Sequence, residues 1–230
     1  SSVEVAHFAQ GRRDTRGALD AAPVRLGFFG VIDERLDLEL VEALARAHPE
    51  WAIDLVGPVV KIDPATLPRA ENLHYHGQRA YADLPAEIAR WDVCLLPFAL
   101  NEATAFISPT KTLEYMAARK PVVSTAVRDV ERLYAAGVSI ARDHGAFIAA
   151  CERAVAEDAD AAQARVAAQD ALTASASWDS TVDAMAALMR DAAARGLNPR
   201  ARAYLDGARV VALPDPPVEC LILGAGPTGL

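Results

Sequence analysis

An α/β domain built on a doubly wound parallel sheet is the fold class this sequence predicts. Three observations point to it. Short apolar runs rich in β-branched residues alternate with segments of helical period over the first two thirds of the chain. Several of these runs end in a glycine or open directly into a polar loop. Of 230 residues, 52% are hydrophobic and 23% charged, which is enough to bury one large core or two smaller ones.

The elements follow in order. "VRLGFFG", from Val24 to Gly30, reads as a first strand and its glycine turn, and "DERLDLELVEALARAH" as a helix whose leucines and valine share a face. "WAIDLVG" is a second strand ending at Gly57, and "NLHYHG" a third ending at Gly77. "YADLPAEIARW" reads as helix and "DVCLLPF" as strand. "SPTKTLEYMAARKPVVST" gives a helix with Ser108 as N-cap and Pro109 as first helical residue, then the strand "PVVST". "VRDVERLYAAG" is a helix closed by glycine, "VSIARD" a last strand, and Ala-rich helices continue to about Gly196. Strands separated by helices pair in parallel, and in such sheets ligands lie beyond the carboxyl ends of the strands.

Charge and composition exclude several classes. A formal charge of −8 disfavours a general nucleic-acid or anionic-membrane surface. No apolar run approaches the roughly 18 residues of a membrane span, and the N-terminus lacks the pattern of a signal peptide. Cys94, Cys151 and Cys220 have neither metal-ligand nor redox spacing. His74 and His76 alternate in a strand, which leaves one of them for a ligand, with packing the expected role of both. A cytoplasmic location and no bound metal are the expectations.

The stretch from Ser108 to Thr125 carries the chemistry. Lys111 falls in the first helical turn, where the helix dipole disfavours a cation and an anionic ligand would offset that. Glu114, three residues on, shares its face; a carboxylate there suits the two hydroxyls of a ribose. Standing alone, a Lys–Glu pair reads as an ordinary solvated face.

The whole string resembles the S-P-x-K-x-x-E-Y-[ML]-A-x-[GRK]-x-P-V-V-[SA]-T segment of retaining glycosyltransferases of the GT-B fold, in the large family 4, group 1. "LGFFGVIDERLDLELV", "NLHYHGQRAYADLPAEIARWDVCLLPF" and "SWDSTVDAMAALM" resemble further segments of that family in the same order. The resemblance implies the C-terminal, donor-binding half of such an enzyme: a Rossmann-like parallel sheet with extra C-terminal helices. It implies that Glu114 holds the donor ribose, and that Ser108, Pro109, Lys111 and Thr112 gather at the phosphates. Gly30 would let the backbone approach the diphosphate, and Gly77 and Arg79 would line the base pocket. Arg35 is either a pyrophosphate contact or a surface partner of Glu39.

The family's fuller pattern places a second glutamate that falls here on Phe106. A nucleoside-diphosphate sugar, UDP-linked first among the choices, is the expected donor, with a glycan or lipid as acceptor and no cofactor in this domain. No catalytic base is expected, because enzymes of this type rely on leaving-group stabilisation and positioning. A non-catalytic nucleotide-sugar-binding module is the alternative.

The ends suggest further parts. Residues 1–20 are expected to be the tail of an N-terminal acceptor domain, with "VEVAHFAQGRRD" resembling its last strand and turn, or an interdomain linker. Residues 21–196 are the donor-binding domain and 197–216 a linker. "CLILGAGPTGL", in 217–230, has the G-x-G-x-x-G spacing through Gly224, Gly226 and Gly229 and resembles the opening of flavoproteins such as UDP-galactopyranose mutases. FAD would then belong only to a downstream domain, and a flavin- or nicotinamide-dependent oxidoreductase fragment is the remaining reading.

Overall fold

The computed structural model describes residues 2–12, 22–176 and 178–194. The linker and glycine-rich segment expected at 197–216 and 217–230, together with Cys220, lie outside the described residues. The chain divides into two compact units, 1–182 and 183–230, and the first holds the sheet.

Six strands form that sheet: β1 (Arg25–Phe29), β2 (Ala52–Val56), β3 (Leu73–Gly77), β4 (Val93–Leu96), β5 (Val122–Thr125) and β6 (Ser139–Ala141). Their order is β3-β2-β1-β4-β5-β6, and every neighbouring pair is parallel. Each strand lies within an apolar run read from the sequence. All residues of β2, β4 and β5 are buried, as a sheet covered on both faces requires. From β1 the chain winds outward to β3, then returns to the other side of β1 with β4. The reversal leaves a crevice beyond the carboxyl ends of β1 and β4.

The helices are α1 (Val5–Phe8), α2 (Leu38–Ala47), α3 (Leu84–Ala89), α4 (Lys111–Ala117), α5 (Arg128–Tyr134), α6 (His144–Val155), α7 (Ala159–Ala174) and α8 (Trp178–Ala194). They include two packed groups, α2 with α6, and α1 with α3, α4 and α7. Aspartates start three of them: Asp37 accepts from Leu40 N at 2.8 Å, Asp143 from Ala146 N at 2.7 Å and Asp158 from Ala161 N at 2.8 Å.

Three local expectations change. The helix of the Ser108 segment begins at Lys111, and neither Ser108 nor Pro109 belongs to it. Thr112 N and Leu113 N donate to Pro109 O and Thr110 O three residues back, so a tight lead-in turn precedes the α-helical bonds. Residues 5–8 are helical rather than the end of a strand. Their anchor is Phe8, fully buried, which stacks toward Phe29 at 6.4 Å. Finally, α4 ends on Arg119 in the left-handed region (φ 55°), a place usually given to glycine. Lys120 N reaches back to Tyr115 O, and Asp170 grips the Arg119 guanidinium at 3.1 and 2.7 Å.

One buried charge is built into the sheet. Asp54, only 1% exposed, takes Arg25 through both carboxylate oxygens, His76 Nε2 at 2.7 Å and Trp91 Nε1 at 3.2 Å. Burial opposes its charge, but His76 and Arg25 outweigh it and hold the carboxyl below the usual range.

Candidate functional site

The crevice at the strand reversal is built from backbone first. Gly30, immediately after β1, has φ +144° and donates its N–H to Val56 O at 2.8 Å. Gly57, after β2, has φ +150°, and a Cβ there would stand 1.8 Å from Gly30 O. The two turns nest so closely that a side chain on Gly57 has no room. Gly57 N in turn donates to Gly77 O at 2.8 Å, so the ends of β1, β2 and β3 are tied in a row.

Lys111 lies across this row. A Cβ on Gly30 would meet its Cε at 2.8 Å, and its Nζ stands 5.6 Å from the ring centroids of both Phe28 and Phe98. Those rings meet edge to face at 6.2 Å and form an apolar floor beneath the ammonium. Burial pulls the Lys111 ammonium below its ordinary pKa; Glu114 opposes that shift, Arg35 adds to it and Asp33 opposes it. Burial likewise pushes the Glu114 carboxyl up, against the pull of Lys111 and His7. Both side chains are half-buried. Among the described residues, Lys111 Nζ and the Glu114 carboxylate have neither an ion-pair nor a hydrogen-bond partner.

Arg35 is held nearby, but by Asp33 and not by Glu39. Its Nη2 stands 2.6 Å from Asp33 Oδ2, and its own backbone N–H bonds the same carboxylate at 3.1 Å. Asp33 is 1% exposed. Burial would raise its pKa, yet the hydrogen bonds and charge of Arg35, with Lys61, hold it low. The loop carrying both residues is clamped to the end of β4 by Ala99 N on Arg35 O and Asp37 N on Pro97 O, each at 2.9 Å.

The remaining sequence-predicted residues are placed unevenly. Gly77, exposed and at φ +67°, is in the row of turns. The Arg79 side chain folds back onto His76 O at 2.9 Å and Glu87 Oε1 at 3.0 Å, so it is bound to scaffold rather than simply solvated. Ser108 is exposed and Pro109 buried, both ahead of the helix. Thr112 is wholly buried, and its Oγ1 has no hydrogen-bond partner. His74 and His76, two apart on β3, lie on one face with ring centroids 6.3 Å apart; alternation separates neighbours, not residues two apart. Thus Gly30, Arg35, Lys111 and Glu114 come together, and Thr112 is withdrawn.

Sequence reasoning missed four neighbours. Gly57 was read only as a strand end, Asp33 not at all, and His7 and Tyr81 come from segments distant in sequence. His7 stacks on Tyr81 at 4.4 Å and bonds its carbonyl at 3.1 Å, with both residues in electrostatic reach of Glu114. Among the described residues, no group of three or more His, Cys, Asp or Glu could hold a metal, and no helix is long and apolar enough to cross a membrane.

A doubly wound sheet in this strand order, with a lysine and a carboxylate set at its reversal, defines a Rossmann-like domain of the GT-B type. Residues 23–158 match the family model for glycosyl transferases group 1, and the chain belongs to that family. It is 28% identical over 141 residues to TuaH of Bacillus subtilis (strain 168), a protein named as a glycosyltransferase of teichuronic acid biosynthesis; the match covers 59% of this chain and 36% of that one. Among solved structures, sucrose-phosphate synthase from Thermosynechococcus elongatus matches with a TM-score of 0.66 at 20% identity, covering 85% of this chain and 52% of that one. HepE of Anabaena, solved in complex with UDP and glucose, matches with a TM-score of 0.58 at 17% identity, covering 74% and 49%. The chain therefore spans about half the length of these solved relatives, and about a third of the curated one.

Proposed function

We propose that this chain is the donor-binding half of a retaining glycosyltransferase, taking a nucleoside-diphosphate sugar for transfer to a glycan or lipid acceptor held by an N-terminal domain. The observation that carries it is the Lys111–Glu114 pair: two half-buried charged side chains at the start of one helix, neither of them ion-paired or hydrogen-bonded among the described residues, with Lys111 lying against the glycine turn at the sheet reversal. Burying charges without partners costs stability, so their retention there is accounted for by a ligand that pairs both. Glu114 accepts the ribose hydroxyls. Lys111 supplies positive charge to the diphosphate, and Gly30 lets the backbone come close to it. Arg35, steadied by Asp33, adds charge at the rim, and Gly77 and Arg79 border the base.

Transfer needs no protein base in this scheme. Positive charge at the departing diphosphate stabilises the leaving group as the bond to the sugar breaks. UDP is the first candidate nucleotide, supported by the UDP held in the HepE structure. The name of TuaH supports a place in cell-surface polysaccharide synthesis, which fits a cytoplasmic location. The G-x-G-x-x-G at 224–229 would open a separate FAD-binding domain, and an absence of flavin absorbance in a longer chain would refute that part.

A second reading has one observation behind it. Phe106 stands where the family pattern carries a carboxylate, and it is 84% exposed. A binding module without turnover would be consistent with that change. Calorimetric titration with UDP, GDP and ADP, with Glu114→Ala as control, tests the donor site. Selective binding of one nucleotide that is lost in the variant is the expected result; binding unaltered by the variant would remove Glu114 from the site. Sugar release from the matching donor separates the enzyme from the module.

A further inference from the structure

Phe29 closes β1, and its backbone N–H lies beyond the ladder. β4 pairs with β1 at Leu26 and Gly27 and stops short of Phe29, while on the other side Gly30 N takes Val56 O. The strands part here to open the crevice, and a buried N–H left without an acceptor would be costly. The acceptor comes from α4: the Tyr115 hydroxyl takes the Phe29 N–H at 2.9 Å. Tyr115 is wholly buried, its ring edge to face with Phe29 at 5.0 Å and with Trp91 at 6.3 Å. Burial raises the pKa of the hydroxyl, so a neutral O–H meets the amide.

That bond joins the two sides of the candidate site. Gly30, the next residue after Phe29, makes the turn, and Lys111 stands one helical turn before Tyr115. Lys111 lies against the turn, its Cε 2.8 Å from where a Gly30 Cβ would be. Elsewhere α4 is held at its far end: Arg12 Nε donates to Ala117 O, Arg119 goes to Asp170, and Lys120 Nζ donates to Trp91 O. The helix has seven residues, about two turns, so one buried bond near its middle governs where its first residue stands. We infer that Tyr115 is a positioning residue of the donor site, its hydroxyl holding the Phe29–Gly30 turn at a fixed spacing from Lys111 so that a diphosphate is gripped between backbone and ammonium. The inference rests on the donor-site reading above. Tyr115 acts through this spacing and not through contact with the nucleotide.

The test is a calorimetric titration of UDP into wild type, Tyr115→Phe, Lys111→Ala and the double variant, well below their melting temperatures, where a loss of stability alone leaves affinity unmoved. Phenylalanine keeps the ring and removes only the acceptor. Tyr115→Phe binds UDP about three- to tenfold more weakly than wild type. In the Lys111→Ala background the same substitution changes affinity by less than about twofold, because the residue it acts through is gone. A Tyr115→Phe affinity equal to that of wild type, or an undiminished loss in the Lys111→Ala background, reduces the bond to scaffold and overturns the inference. Hydrogen exchange gives a second reading that needs no variant. Phe29 N–H, at a strand end, exchanges by local opening, and coupling is reciprocal. Saturating UDP therefore slows it by about three- to tenfold more than it slows Leu55 N–H in β2. Equal slowing at the two amides overturns the coupling, even if Tyr115→Phe fails to fold. Absence of UDP binding by wild type overturns the UDP-site reading and this inference with it.

Discussion

The Lys111 side chain occupies the space that a Cβ on Gly30 would need, its Cε 2.8 Å from that position. The glycine after the first strand and the lysine at the start of α4 are 81 residues apart in sequence (111 − 30), yet each fixes what the other is able to do. Only a residue without a side chain lets the lysine lie over the Phe28–Phe98 floor, and only that path brings its ammonium to the strand ends.

Gly30→Ala is therefore doubly unfavourable, through its φ of +144° and through the contact with Lys111. A loss of about 1–3 kcal/mol of stability is expected, with the lysine displaced. Chemical denaturation gives the first quantity and nucleotide affinity the second. A variant as stable as wild type would mean that the turn relaxes freely.

Lys111→Ala separates phosphate from nucleoside recognition. On the proposed reading its charge addresses the diphosphate, so UDP affinity should fall by about tenfold or more while uridine changes little. Paired titrations of the two ligands read the ratio. Equal losses on both would make the lysine a support for the helix only.

Glu114→Gln should trade binding for stability. Burial raises the native pKa of Glu114 above its unfolded value. Its contribution is thus fully favourable below the unfolded pKa and is lost as pH rises through the folded pKa. At pH 7 the ionised group is a burden on the native state, and glutamine removes it. The variant should melt higher than wild type at pH 7, with the advantage shrinking toward about pH 4, while UDP binds more weakly. Melting curves at the two pH values decide the sign; a variant that melts lower at pH 7 than at pH 4, relative to wild type, contradicts the burial argument.

Asp54→Asn tests a part of the fold and not of the site. The carboxylate's pKa is depressed in the native state by His76 and Arg25, so its stabilisation is present above the unfolded pKa of about 3.9 and is lost as pH falls through the native value. Removing the charge leaves Arg25 facing a neutral amide in a buried place, at a cost of about 3–5 kcal/mol at pH 7. The shift in denaturant midpoint measures it, and a shift below about 1 kcal/mol would show that water replaces the carboxylate.

Much of the domain was legible in the chain. Strands buried on both faces must be continuously apolar, and the six apolar runs say where they are. Helices start at aspartates that announce themselves, such as Asp37 and Asp143. Lys111 and Glu114 were legible as a pair because three residues along a helix is one turn. The start of α4 was misread because Ser-Pro is a good N-cap signal in isolation, while the loop from Ala99 to Pro109 sets how the chain enters the helix. Arg119 in the left-handed region gave no signal, since its partner Asp170 is on another helix.

Sequence by itself determined the class of fold and the local chemistry of one segment, because hydrophobic period and helical spacing act between near neighbours. Tertiary structure decided which groups share the crevice. Arg35 was open to Glu39 by helical spacing and went to Asp33, whose buried carboxylate offers stronger, two-point hydrogen bonding. His7 met Tyr81 only because Phe8 anchors α1 in the core. Gly57 became indispensable only when Gly30 O was set against it. Electrostatic and steric contacts depend on distance in space, and that distance is fixed by the winding of the sheet and not by position along the chain.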